Sequence, residues 1–201
     1  MPVAIAEVPP IPASPGPPRK LWTRAECARL QAAGILDCAK LELVEGELIS
    51  RMGKNRPHSN SVSLLRIWLT EIFGHLFVQQ ETPIDIAARD NESNEPEPDL
   101  IVLTRPFTVF QTDNPQPRDL RLVVEIADTT IAFDSSVKAR LYARAGIADY
   151  WILDIGSRQM IVHRDPHEGR YLSVIAYGEL ETVSPLAAPE ASLAVRLAFA
   201  G

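Results

Sequence analysis

Asp99 opens the apolar run DLIVL, and Glu125 lies inside LVVEI, so each carboxylate sits among residues that a sheet normally buries. Placing an unpaired carboxylate there costs on the order of several kcal/mol, so each must be paired, protonated or bound to a cation. If the two strands are neighbours, their carboxylates converge. Two oxygens from different strands suit a hard divalent ion such as Mg²⁺, with Mn²⁺ as a second fit, and a water on such an ion becomes a nucleophile. The plainer alternative is that Glu125 points outward at a strand end and that Asp99 merely begins its strand after Pro98.

Lys138 adds to the first reading. With Asp134 as a helix cap, the lysine falls in the first helical turn, where the dipole disfavours a cation, so something else must favour it. An exposed Asp134–Lys138 pair is one explanation. The other is a lysine that reaches into the metal site, orients the attacking water and meets charge developing on a phosphate. A second basic group lies earlier: RMGKNRPH places Arg51, Lys54, Arg56 and His58 within eight positions without an acid, just after the Glu47 strand. Such a run is either a solvated loop or a phosphate contact beside the metal site.

Other constellations carry less. His163 and His167 flank Pro166 in a turn-like stretch, Ser135 and Ser136 lack a nucleophile setting, and Trp68, Tyr150 and Trp151 sit in apolar elements that read as core. Cys27 and Cys38 have no C-x-x-C partner and read as small apolar residues.

The elements that must position these residues alternate. Thr23 caps a short helix, RAECARLQAAG, ending at Gly34; LELVEGELIS reads as a hairpin turning at Glu45 and Gly46. Val62, Leu65, Leu69 and Ile72 define a helix over Ser59 to Phe73. FVQQETPIDIAA reads as a strand, followed by an acidic loop and then by DLIVL and LRLVVEIA, the last apolar on both faces. A helix follows from about Ser135 to Ala145, striped by Val137, Leu141 and Ala145 and stopped by Gly146. ADYWILDI, QMIVHRD and RYLSVIAY are strands, DPHEG is the turn between the last two, and ASLAVRLAF alternates near the end.

With 201 residues, 46% hydrophobic and 23% charged, the chain suits one ordinary domain with a tail. Seven of its 17 prolines fall in the first 18 residues, so residues 1–19 read as an extended, disordered tail and 20–201 as a single domain. No apolar stretch approaches the roughly 20 residues of a membrane span, no secretory signal pattern is present, and the expected location is cytoplasmic. Glycine-rich phosphate cradles are missing. The net charge of -6 argues against broad, non-specific nucleic-acid affinity while leaving room for a local phosphate site.

In order along the chain, LVEGELI, His58 before a long helix, PDLIVL, LVVEI and KARLYARAGIADYWILDI resemble the Uma family of restriction-endonuclease-like proteins, over roughly residues 20 to 175. That family is similar to the PD-(D/E)XK nuclease superfamily. The resemblance implies an α/β, restriction-endonuclease-like core with a central mixed sheet flanked by helices. It also implies roles: Asp99 as the Asp of the PD element, Glu125 as the second acid, and Lys138 as a lysine moved from the strand onto the following helix. Glu47 would be an early acid giving a further, water-mediated metal contact. Where the family usually has E-V-L-S-P-S-T, this chain has EIADTT, which changes the loop around Ala127 and adds the carboxylate of Asp128. The expectation is a Mg²⁺-dependent endodeoxyribonuclease in which Asp99, Glu125 and Glu47 ligate the metal and Lys138 positions water. DNA is its substrate, no membrane is involved, and a homodimer is the assembly to test. The competing expectations are a non-catalytic module of the same fold that binds nucleic acid or a protein, and an interaction protein recruited through its proline-rich tail.

Overall fold

The computed structural model of the chain describes residues 19–37, 41–50 and 55–199, with the backbone of Val3–Ala4. Cys38, Arg51, Lys54 and most of the proline-rich stretch lie outside the described residues. In chain order the elements are β1 (Val3–Ala4), α1 (Arg24–Ala32), β2 (Leu41–Val44), β3 (Glu47–Ser50), α2 (Arg56–Phe73), β4 (Val78–Gln80), β5 (Leu100–Leu103) and β6 (Leu120–Ala127). A helical segment follows as α3 (Ile131–Phe133), a π-helical turn (Asp134–Lys138) and α4 (Ala139–Arg144). Then come β7 (Asp149–Asp154), β8 (Gln159–His167), β9 (Arg170–Gly178), β10 (Thr182–Val183) and β11 (Leu193–Ala194).

Among the described residues, seven strands form one mixed sheet in the order β1-β9-β8-β7-β6-β5-β4. Only β6 and β7 run parallel, because the helical segment between them carries the chain back across the sheet, as a parallel connection requires. The apolar runs of β5, β6 and β7 are buried on both faces, and the alternation of a strand divides them between two cores. Leu100, Val102, Leu122 and Val124 pack with Val62, Leu65 and Leu69 of α2. Ile101, Leu103 and Val123 pack with Ala139, Tyr142 and Ala143 from the opposite helical segment. The mixed sheet with helices on both faces is the architecture the sequence implies.

Several boundaries move for local reasons. The α2 helix begins at Arg56 rather than Ser59, since the Asn55 side chain accepts from the His58 N–H at 3.0 Å and Pro57 suits the first turn. The expected strand FVQQETPIDIAA keeps pairing only over Val78–Gln80, because Glu81 takes φ 51° and Pro83 lacks a donor. Near the end, Leu193–Ala194 pair with β10 and the chain then tightens into a 3₁₀ turn over Val195–Ala198. The turn between β8 and β9 shrinks to Glu168 and Gly169. The helix after β6 starts a turn early, at Ile131, and Asp134 does not cap it. The Asp134 carboxylate faces inward instead, accepting from the Thr130 hydroxyl at 2.6 Å. Among the described residues no helix is long and apolar enough to cross a membrane.

Candidate active site

Strand register explains how residues 26 apart in sequence meet. Leu100 pairs with Val124 across the antiparallel β5–β6 ladder, so one step further along places Asp99 opposite Glu125. Directly opposed residues share a face with Cβ atoms about 4.5–5.5 Å apart. That face also carries Ile101 and Val123, and it is the one covered by the segment bearing Lys138. The Asp99 carboxylate is held by the backbone, its Oδ2 accepting from the Ile126 N–H at 2.8 Å. Both carboxylates are buried, and both line a cleft of about 330 Å³.

Lys138 ends the π-helical turn and projects into this cleft, 4% exposed. Its Nζ donates to Glu125 Oε1 at 3.0 Å, lies 3.0 Å from Glu42 Oε1, and is 4.0 Å from Asp134 Oδ1. One turn on, Tyr142 is fully buried and its hydroxyl donates to the same Glu125 Oε1 at 2.8 Å. Spacing of i,i+4 on a helix puts the lysine and tyrosine over one carboxylate. The Asp134–Lys138 pair is thus a buried part of a network and not the exposed surface pair that spacing alone allowed.

Burial pushes Glu125 well above the usual carboxylate range; Lys138 pulls it down, while Asp134, Asp99 and Glu42 push it further up. Asp134 is raised to about 6, again by burial first, against Lys138 and the Thr130 hydrogen bond. Burial works against the Lys138 charge, but Glu125, Glu42 and Asp134 together outweigh it and hold the ammonium well above the ordinary lysine range. The physical picture is one retained cation among acids crowded enough to compete for protons.

Glu42 was not singled out from the sequence, and Glu47 was. The hairpin register accounts for the difference: Glu42 pairs with Ile49, whereas Glu47 pairs with Val44 at the turn end, roughly 7 Å further along the strand. There Glu47 is exposed and accepts from Arg19 Nη1 at 2.8 Å, so the structure does not bring it to the cleft. Glu42 enters it and is fixed by the Glu97 N–H, which donates to Oε2 at 3.2 Å. The hairpin is tied down by the acidic loop: Asn94, buried, accepts from the Glu45 N–H at 2.6 Å, and Gly46 donates to the Ser93 carbonyl at 2.8 Å. Arg144 of α4 clamps the same corner through Glu45 and, at 3.0 Å, Asp90. The signal for Glu42 was the one already used for Glu125, an acid flanked by apolar strand residues in LELV. For Tyr142 it was the i+4 step from Lys138.

Of the basic run, His58 reaches the cleft, with Nε2 3.3 Å from Asp99 Oδ2, while Arg56 is exposed at the start of α2. The EIADTT loop also contributes: Asp128 accepts from Asn55 Nδ2 at 2.5 Å, joining the cap of α2 to the loop after β6 across the cleft. By chemistry the donors Glu42, Asp99 and Glu125 suit a hard oxygen-seeking cation. Among the described residues, no three His, Cys, Asp or Glu side chains are gathered as a ready metal cluster, and an ammonium takes the place between Glu42 and Glu125.

The family model Uma2, described as "Putative restriction endonuclease", matches residues 29–196. The chain belongs to this family. All the cleft residues named above lie within the matched span, so the Uma2 match covers the site as well as strands β4 to β9 of the sheet. Among solved structures, the chain is similar to a crystal structure from Anabaena variabilis ATCC 29413 described as "a putative nuclease belonging to DUF820". The similarity has a TM-score of 0.59 at 15% identity and covers 79% of this chain and 89% of the other, which establishes a common fold. No curated protein matches the chain.

Proposed function

We propose that this chain is a divalent-cation-dependent endonuclease that hydrolyses DNA phosphodiester bonds in the cleft between β5, β6 and the π-helical turn. The observation that carries the reading is the burial of Asp99 opposite Glu125, with the Lys138 ammonium 3.0 Å from Glu125 at one solvent-reached cleft. Asp99, Glu125 and Glu42 would hold Mg²⁺ or Mn²⁺, which when bound supplies an acidified water and a Lewis acid toward a phosphoryl oxygen.

The chain's own residues do the rest. Tyr142 and the Ile126 amide fix the orientation of Glu125 and Asp99, so neither carboxylate must be ordered when substrate arrives. Lys138 brings a positive charge to the place where negative charge accumulates on the scissile phosphate and its leaving oxygen. The side chains of Asn55 and His58 line the rim, where a backbone phosphate would meet polar groups. With a net charge of -6, binding rests on this local site and on the cation more than on a broad basic surface. Incubating supercoiled plasmid, duplex and single-stranded DNA with the protein and Mg²⁺ or Mn²⁺, beside Asp99→Ala and Glu125→Ala, tests the reading. Cation-dependent cleavage lost in both variants is expected; equal cleavage by all three proteins would refute it.

One observation favours a second reading, a non-cleaving module of the same fold. Lys138 already bridges Glu42 and Glu125, and no three ligands are gathered among the described residues. Such a module binds DNA with the same affinity whether or not a divalent cation is present, and Asp99→Ala leaves that affinity unchanged.

A further inference from the structure

We propose that Lys138 is the internal cation of the metal-free site, and that its ammonium and a divalent cation exclude one another at Glu42 and Glu125. The inference rests on the cation-dependent reading above and specifies how loading of that site is controlled. Nζ lies 3.0 Å from Glu42 Oε1 and 3.0 Å from Glu125 Oε1, bridging β2 to β6. The second oxygen of Glu42 is engaged by the Glu97 amide, and Glu125 Oε1 also takes the Tyr142 hydroxyl, so both carboxylates are held in the orientation that suits the ammonium. A Mg²⁺ ion needs oxygens at about 2.0–2.1 Å. The oxygens that hold Nζ cannot also hold such an ion, because two cations would then share one small space.

The local architecture supplies the means of exchange. Lys138 is the last residue of a π-helical turn, a widened helical geometry that recurs where a side chain must reach out of register. Its four-carbon stem is flexible enough to carry the ammonium away from the two carboxylates. The cleft it faces is lined also by Glu97 and by Asp128, Thr129 and Thr130 of the EIADTT loop, whose oxygens can receive an ammonium. Charge favours the exchange, since Glu42, Asp99, Glu125 and Asp134 face a single ammonium, and a dication compensates more of them. Two consequences follow. Cation affinity is set partly by the work of withdrawing Lys138. The released ammonium then stands in the cleft, available to a phosphate oxygen, so cation loading and phosphate binding reinforce each other.

The test is Mn²⁺ binding by titration calorimetry to the full chain and to Lys138→Met, without DNA. The expected result is Mn²⁺ bound at least about tenfold more tightly by the variant, a conservative fraction of the effect of one unit charge a few ångströms away in a protein site. Soaking Mn²⁺ into crystals of the unsubstituted protein gives a second readout that survives a variant that fails to fold: Nζ should lie beyond hydrogen-bonding distance of both Glu42 and Glu125. Equal or weaker binding by Lys138→Met, or bound Mn²⁺ with Nζ still bridging the two carboxylates, would overturn the inference while leaving the cation-dependent reading intact. Absence of Mn²⁺ binding to both proteins would instead remove that reading, and this inference with it.

Discussion

Replacing Lys138 with Met removes the cation from a buried network while nearly preserving the length of the side chain. The lysine is 4% exposed, and its Nζ bridges Glu42 and Glu125 at 3.0 Å each, with Asp134 at 4.0 Å. Removing one partner from such a buried network costs about 3–5 kcal/mol. At roughly 2–4 °C per kcal/mol for a domain of this size, Tm should fall by about 6–20 °C. The loss should depend on pH in a direction fixed by the acids left behind. Asp134 already stands at about 6 in the folded protein against 3.8 ordinarily, and Glu125 is raised as well. A carboxyl whose folded value is raised contributes stability that is present below its unfolded pKa and is lost as pH rises through its folded one. Without Lys138 to pull them down, both acids rise further. The variant can therefore protonate them cheaply near pH 5 but must bury them charged, or buffer protons at a cost, near pH 8. Calorimetric or circular-dichroism melts of both proteins across pH 5 to 8, in the absence of divalent cations, should show a penalty that grows with pH. A penalty that is flat with pH, or greatest at pH 5, would refute the assignment of Lys138 as the charge partner of these acids.

Two further outcomes follow from the same geometry. Glu42→Gln should lower cation-dependent nicking of plasmid DNA by at least about tenfold, while Glu47→Gln, altering an exposed group paired with Arg19, should stay within about twofold of the unsubstituted rate; initial rates at saturating Mn²⁺ compare them directly. Tyr142→Phe removes the 2.8 Å bond to Glu125 Oε1 and should cost about 1.5–3 kcal/mol, the range for a hydrogen bond to a charged group, read from urea unfolding with m unchanged.

Much of the fold was legible because the sequence repeats simple periods. The doubly apolar LRLVVEIA does become a central strand, and Val62, Leu65 and Leu69 do face the core. The turn at Glu45 and Gly46 follows from two residues with positive φ, 51° and 75°, the geometry a two-residue hairpin needs. The costly placement of acids in apolar strands pointed to Asp99 and Glu125, and register brings them opposite each other. What period and composition could not supply was which end of the LELVEGEL hairpin would meet that pair, since Glu42 and Glu47 share a face. That choice is made by contacts distant in sequence, the Asn94 and Ser93 bonds to the turn and the Arg144 clamp, which together seat Glu42 in the cleft and leave Glu47 outside it. The helix start at Ile131 was hidden for a related reason. Asp134 has the identity of a cap residue, but the energetic demand of the buried Lys138 turns its carboxylate inward.

The most direct test of the central claim, that this cleft hydrolyses phosphodiester bonds with a divalent cation, is the rate of Mn²⁺-dependent nicking of supercoiled DNA by the unsubstituted protein and by Glu125→Gln, each confirmed folded by its melt. The account predicts nicking that disappears on chelation and falls at least about a hundredfold in the variant. Nicking that persists in chelator, or that proceeds equally in Glu125→Gln, would contradict it.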